Sequence, residues 1–206
     1  MAVGLLAVGF LVGSIPFGLL VGKACGVDVR TAGSGNIGAT NVWRTCGRRA
    51  GLAVFALDVA KGLAPTMLAQ TLRPEHYGLH VLAGLAALFG HAFSPFLGFQ
   101  GGKAVSTCLG VVLALSPTAG LSGLALWALL VRLTGYVSVG SLAGSLTAAV
   151  VILFTSGHWA YRLAMWTAAI LIWVRHRANI QRLLRGEELR YDGTQRASAS
   201  LEPPSS

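Results

Sequence analysis

Residues 1–22 and 104–131 carry no charged side chain, and residues 133–174 carry only Arg162. Runs of that length match the ~20 apolar residues that a helix needs to cross a hydrocarbon core. The bilayer is therefore the solvent for most of this chain. The make-up agrees: 54% of the 206 residues are hydrophobic, 11% are charged and the mean hydropathy is +0.66, too apolar for an average water-soluble domain. The fold class that follows is an all-α integral membrane protein, a compact bundle of transmembrane helices with its site built from loops at one face. One membrane domain covers residues 1–190. Residues 191–206, polar with Ser, Pro and Gly, read as a disordered tail.

Along the chain, residues 1–22 form a first helix that Pro16 kinks or ends early. It lacks the positive start of a cleaved signal peptide. A second helix runs from about Gly51 to Leu72 and carries Asp58 and Lys61, three apart and so on one face. That pair is either a structural ion pair or a support for a neighbouring loop. A third helix covers residues 77–90. Residues 104–131 form one long helix or two short ones broken at Ser116-Pro117. Residues 133–174 form two more, with a turn at Thr155-Ser156-Gly157-His158.

Net charge is +9, but the basic residues border apolar runs without an aromatic-interleaved surface, which excludes a nucleic-acid partner. Lys23, Arg30, Arg44, Arg48 and Arg49 fill the first connection, and a second basic group begins at Arg175. The positive-inside rule then places the first loop and the C-terminus in the cytoplasm and the N-terminus outside. An odd number of spans satisfies this, about seven, with five as the alternative. Cys25, Cys46 and Cys108 read as free thiols, and the spacing offers no metal-ligand set.

Three polar stretches interrupt the apolar runs. The first is Gly33-Ser34-Gly35-Asn36-Ile37-Gly38-Ala39-Thr40-Asn41, where glycines permit positive φ and backbone N–H groups can face an anion ahead of a helix N-terminus. Arg44, three residues on, can fork onto a phosphate. The plainer alternative is a Gly-rich turn; the spacing is that of neither a Walker loop nor a dinucleotide fingerprint. The second stretch runs from His91 to Thr107 and holds Gly101-Gly102-Lys103, a flexible backbone with one cation before a helix. The third follows the last span: Arg175-His176-Arg177-Ala178-Asn179-Ile180, continuing to Glu188. A basic amphipathic segment there suits anchoring to anionic lipid, while Arg175 and Arg177 beside His176 also suit anion binding.

These stretches, with Ser14-Ile15-Pro16-Phe17-Gly18, resemble in order the bacterial acyl-phosphate:glycerol-3-phosphate acyltransferases, the PlsY-type enzymes of the inner membrane. The resemblance runs from about residue 10 to 190. It implies transfer of a fatty acyl group from acyl phosphate to glycerol 3-phosphate, giving lysophosphatidic acid for phospholipid synthesis, with membrane lipid and an acyl-phosphate-synthesising enzyme as surroundings. It implies that Ser34 and Arg44 are needed for activity, that Gly101-Gly102-Lys103 holds glycerol phosphate, that His176 and Asn179 are a functional pair, and that Glu188 is structural. Two positions depart from the family's habit: Gln100 stands where Lys is usual, removing a charge beside the phosphate loop, and Ala104 where Gly is common, stiffening the helix start.

An acyl phosphate is a mixed anhydride with a good leaving group, so the chemistry calls for no metal or cofactor. Catalytic roles fall to Ser34, Arg44, Lys103, His176 and Asn179. Gly33, Gly35, Asn36, Gly38, Thr40, Asn41, Gly101 and Gly102 are the expected substrate contacts. The acceptor's proton goes to His176 or to a phosphate oxygen of the donor; Ser34 as a covalent nucleophile has no base beside it. The competing class is a transporter or channel for a phosphorylated molecule, since broken Gly-rich helices with cations also suit that task.

Overall fold

The computed structural model describes residues 2–192, and every element in them is helical. The expected tail falls largely outside the described residues. Its start does not: the Tyr191 N–H donates to Gly135 O at 2.8 Å, so the packed chain runs past residue 190.

Helix α1 (Ala2–Ser14) stops at Ile15-Pro16 and resumes as α2 (Phe17–Ala24). Proline has no N–H to continue the ladder, and the carbonyls left over find side chains from other helices. Ser94 Oγ donates to Ser14 O and Lys61 Nζ to Ile15 O. After the first loop come α3 (Ala39–Cys46), a separate short helix within what the sequence read as a polar connection, and α4 (Arg48–Leu72). Next are α5 (Tyr77–Ala92), a 3-10 turn at Pro95–Leu97, and α6 (Val105–Leu115). Ser116 ends α6 and caps α7 (Pro117–Thr134), its Oγ accepting from the Ala119 N–H. Proline at the first helical position lacks only an N–H that would be unsatisfied anyway, so residues 104–131 are two helices. The chain closes with α8 (Val137–Thr155), α9 (Trp159–Arg175) and α10 (Arg177–Arg185).

Hydrogen bonds sort the helix ends into two faces. At the far face Gln70 reaches Ala114 O, Ser116 Oγ meets Thr155 Oγ1, and His80 joins Arg73 O to the Tyr161 hydroxyl. At the opposite face Arg44 reaches Leu189 O and Arg190 O, and Arg175 reaches Gly101 O and Gly102 O. Taking α1 with α2 as one pass, α4, α5, α6, α7, α8 and α9 bring the total to seven passes. Five have the length and apolarity to cross a bilayer by themselves; α6 is short at 11 residues. At 1.5 Å per residue it rises only ~16 Å, about half a hydrocarbon core. Its first turn is therefore recessed: Gly62, mid-way along α4, packs on Thr107 O. The loop before α6 sits inside the protein, level with the middle of α4.

The main core is Leu88, Val111, Ile152, Met165 and Ile172 with their neighbours on α5, α6, α8 and α9. A second core of Leu19, Val29, Ile37, Val42 and Val54 lies beneath the first loop. Full burial of such side chains stabilises by about 1.5–3 kcal/mol each. That second core gives a Gly-rich loop a fixed shape.

Candidate active site

Asn41 is the hub of the first loop. Its Oδ1 accepts from the Ser34 N–H at 2.8 Å, and its Nδ2 donates to Val29 O and Ala32 O at 2.8 and 3.0 Å. Gly33 takes φ +59, and a Cβ there would collide with Asn41 Oδ1. Asn36 Oδ1 accepts from the Gly38 N–H, and the Gly35 N–H donates to Ala32 O. The N–H groups of Ser34, Gly35 and Gly38 thus all have partners within the loop, while Ser34, Asn36, Gly38 and Asn41 line the cavity described below. Asn41 shapes the loop instead of offering its amide to a ligand. The helix end at this loop is the N-terminus of α3. There Asn41 and Val42 donate to Gly38 O, no side chain caps the end, and Ala39 and Thr40 open onto the cavity described below.

The second loop is clamped from two sides. The Gly101 and Gly102 N–H groups donate to Ala92 O and His91 O, and both carbonyls accept from Arg175. A Cβ on Gly101 would strike His91 O, and one on Gly102 would strike His91 Nε2. These glycines are small so that the loop can lie on α5. The residues lining the cavity include neither of them, nor Gly33 and Gly35. Gln100 is exposed and is not among the residues lining the cavity. Ala104 takes φ +62, a left-handed conformation that costs an L-residue about 1–2 kcal/mol. It strains the helix start, where the sequence suggested only stiffening.

At the end of α9, His176 is buried and its Nδ1 lies 2.8 Å from Ile172 O. A carbonyl can only accept, so Nδ1 carries the proton and Nε2 is left as an acceptor. Burial, reinforced by the Lys103 ammonium, pushes the imidazole pKa down to about 4. Glu188 is buried and held by Asn179 Nδ2 at 2.6 Å and Arg182 Nε at 2.7 Å. That fixes the last turn of chain against α10, as expected for a structural acid. Asn179 accordingly gives its amide N–H to Glu188. Arg44 donates to Leu189 O and Arg190 O at 2.8–3.1 Å, so much of its fork straps the C-terminal segment down. Arg175 and Arg177 do not line the cavity; the first clamps the Gly-Gly loop and the second is exposed.

One cavity of ≈ 380 Å³ joins the three stretches. Its polar end is lined by Ser34, Thr40, Arg44, Lys103, His176 and Asn179. Among the described residues, Ser34 Oγ, Thr40 Oγ1 and Lys103 Nζ make no hydrogen bond. Burial pushes the Lys103 ammonium pKa down to about 8. The cavity continues as an apolar channel walled by Leu109, Val112, Leu124, Trp127, Val131 and Ala148, from α6, α7 and α8. Nothing in the sequence singled out those walls, because apolar residues on membrane helices look alike whether they face lipid, core or channel.

The model of the family described as glycerol-3-phosphate acyltransferase matches residues 3–186. The chain belongs to the glycerol-3-phosphate acyltransferase family. It is 45% identical over 195 residues to the glycerol-3-phosphate acyltransferase of Roseiflexus sp., covering 93% of this chain and 96% of that one. With the Anaeromyxobacter dehalogenans (strain 2CP-1) enzyme of the same name it shares 48% over 193 residues, covering 89% and 94%. Crystal structures of PlsY, an integral membrane glycerol 3-phosphate acyltransferase, superpose with TM-scores of 0.89 for a glycerol 3-phosphate form and 0.87 for a lysophosphatidic acid form, at 39% and 38% identity. Each match covers 92% of this chain and 94% of that one. An acyltransferase family membership answers the transporter alternative in favour of the enzyme.

Proposed function

We propose that this acyltransferase takes its acyl group from acyl phosphate and delivers it to the 1-hydroxyl of glycerol 3-phosphate, giving lysophosphatidic acid and inorganic phosphate. The observation that carries this reading is the two-ended cavity. Cation, hydroxyls and a helix N-terminus stand at one end, and an apolar channel leaves it between α6, α7 and α8. A donor with a phosphate head and a long chain fits both ends at once.

Lys103 supplies positive charge for the phosphate of glycerol 3-phosphate, and the N-terminus of α3, with the Ser34 and Thr40 hydroxyls free to turn toward it, takes the phosphate of the donor. The acceptor hydroxyl adds to the donor's carbonyl carbon and the carbon–oxygen bond to phosphate then breaks. The phosphate departs with the electron pair. Alignment of hydroxyl and carbonyl is worth roughly 7–11 kcal/mol of barrier, and one oxyanion donor roughly 3 kcal/mol. His176, neutral with a bare Nε2, accepts a hydrogen bond from the acceptor and orients it, while a phosphate oxygen of the donor takes the proton. Asn179 and Arg44 act mainly by holding His176's helix and the C-terminal strap in place.

The site opens to the cytoplasm of the bacterial inner membrane, with the N-terminus outside. Among the described residues, Arg73 and Arg162 are the basic side chains near the far face, and the first loop and C-terminal segment hold most of the other cations. An acyl-phosphate-synthesising enzyme on the cytoplasmic side is the partner this donor requires. Purified protein given radiolabelled glycerol 3-phosphate with acyl phosphate, acyl-CoA or acyl carrier protein in parallel tests the proposal. Labelled lipid with acyl phosphate alone is the expected result; transfer from acyl-CoA alone would overturn the donor assignment.

A further inference from the structure

The break between α1 and α2, the middle of α4 and the Gly101–Gly102 loop meet at one buried level. Lys61 Nζ lies 2.7 Å from Asp58 Oδ1 and donates to Ile15 O at 2.9 Å. His91 Nδ1 lies 3.8 Å from the same carboxylate oxygen and has no hydrogen-bond partner. All three side chains are at most 4% exposed. The imidazole of His91 is the surface on which Gly102 rests, and the carbonyls of His91 and Ala92 hold the Gly102 and Gly101 N–H groups. From the opposite side Arg175, next to His176, takes both loop carbonyls. Asp58 and His91 reach the wall of the same cavity as Lys103.

We propose that Asp58, Lys61 and His91 form a positioning cluster that sets the depth of Lys103 in the cavity, beyond serving as an ion pair for stability. An ion pair this deep in a membrane bundle is a poor source of stability, since well-packed apolar residues do as well or better. Its location gives the better reason for it. The pair ties the proline break of the first pass to α4, and its carboxylate faces the ring that supports the phosphate loop. With α6 too short to reach the face, the loop has no helix beneath it to fix its height. The cluster supplies that floor, and Arg175 the ceiling. This inference rests on the reading that Lys103 receives the phosphate of glycerol 3-phosphate.

The double variant Asp58→Leu/Lys61→Met removes both charges without leaving one unpaired in the interior. Its thermal unfolding in detergent reports folding, and its kinetics report position. The expected result is a KM for glycerol 3-phosphate raised about ten- to a hundredfold, with the KM for acyl phosphate unchanged and kcat lowered much less. A purely structural pair predicts wild-type kinetics in the folded double variant, which would overturn the proposal. His91→Ala gives a second route that keeps the ion pair. It should raise the same KM, and adding Gly102→Ala should restore it, because the new methyl enters the space the ring vacated. A wild-type KM in His91→Ala also overturns the proposal. Wild-type protein that transfers no acyl group to glycerol 3-phosphate would defeat the underlying reading itself, a result distinct from either variant's.

Discussion

Ala104 sits with φ +62 at the start of α6, where its Cβ is a liability. Removing that Cβ relieves a strain of about 1–2 kcal/mol, partly offset by the entropy of a freer glycine in the unfolded chain. Ala104→Gly should therefore raise the thermal midpoint by a few degrees without changing kcat, and a lower midpoint would show that the left-handed Ala is not strained. Gly101 makes the opposite case. A Cβ there meets His91 O, so Gly101→Ala should reduce the yield of folded protein several-fold. Wild-type yield with only a raised KM would instead restore direct substrate contact. His176 makes a prediction about pH. Its depressed pKa of about 4 leaves the ring neutral at any ordinary assay pH, and the stability that burial of the neutral ring confers is lost as pH falls from about 6.5 through 4. If the donor phosphate takes the proton, the acid limb of kcat should follow the donor's own second phosphate ionisation, and His176→Asn should keep that limb with partial activity. A wild-type limb near 4 that vanishes in His176→Asn, with a rate drop of about 10²–10⁴, would make the imidazole the base.

Among the elements, α10 and the segment after it act as a strap. Gly186 ends α10 at φ +73 and turns the chain back, so Glu188 can face Asn179 and Arg182, and Arg44 can grip the next two carbonyls. Glu188→Gln keeps one acceptor but loses the charge that holds Arg182. It should lower the thermal midpoint and cost activity without altering the pH profile; a shifted profile would give Glu188 a direct part in proton transfer. The limits of the sequence are clearest here. The apolar runs, the Pro16 and Ser116-Pro117 breaks and the turn at residues 155–158 were legible because proline and charge act locally. Helix α3 was hidden inside a polar connection because eight residues are too few to stand out as a helix on their own, although Ala39, Val42, Trp43 and Cys46 do share one face. The destination of the loop N–H groups was hidden for a different reason. It depends on where the side chain of Asn41 folds back, and composition shows that a glycine is present without showing what presses against it.

For the whole molecule, membrane helices of unequal length create the site. A short α6 recesses Lys103, and the cavity that results is polar at one end and apolar along α7 and α8. The three polar stretches and their common face were readable from charge asymmetry and spacing, whereas the channel walls emerge only from packing. Burial holds the Lys103 pKa at about 8, so its ammonium is lost as pH rises through that value. The KM for glycerol 3-phosphate should climb above pH 8 in wild type, and in Lys103→Met it should be high and flat; an equally steep climb in that variant would remove Lys103 from phosphate binding. In the proposed reaction this cavity sets the acceptor hydroxyl against the carbonyl carbon of acyl phosphate, not against its phosphorus. Acyl phosphate carrying heavy oxygen at the bridging position measures this in one mass spectrum of the products. The label is expected to leave with inorganic phosphate, one for each lysophosphatidic acid formed. Label retained in free fatty acid, with a second phosphate on the glycerol, would contradict it.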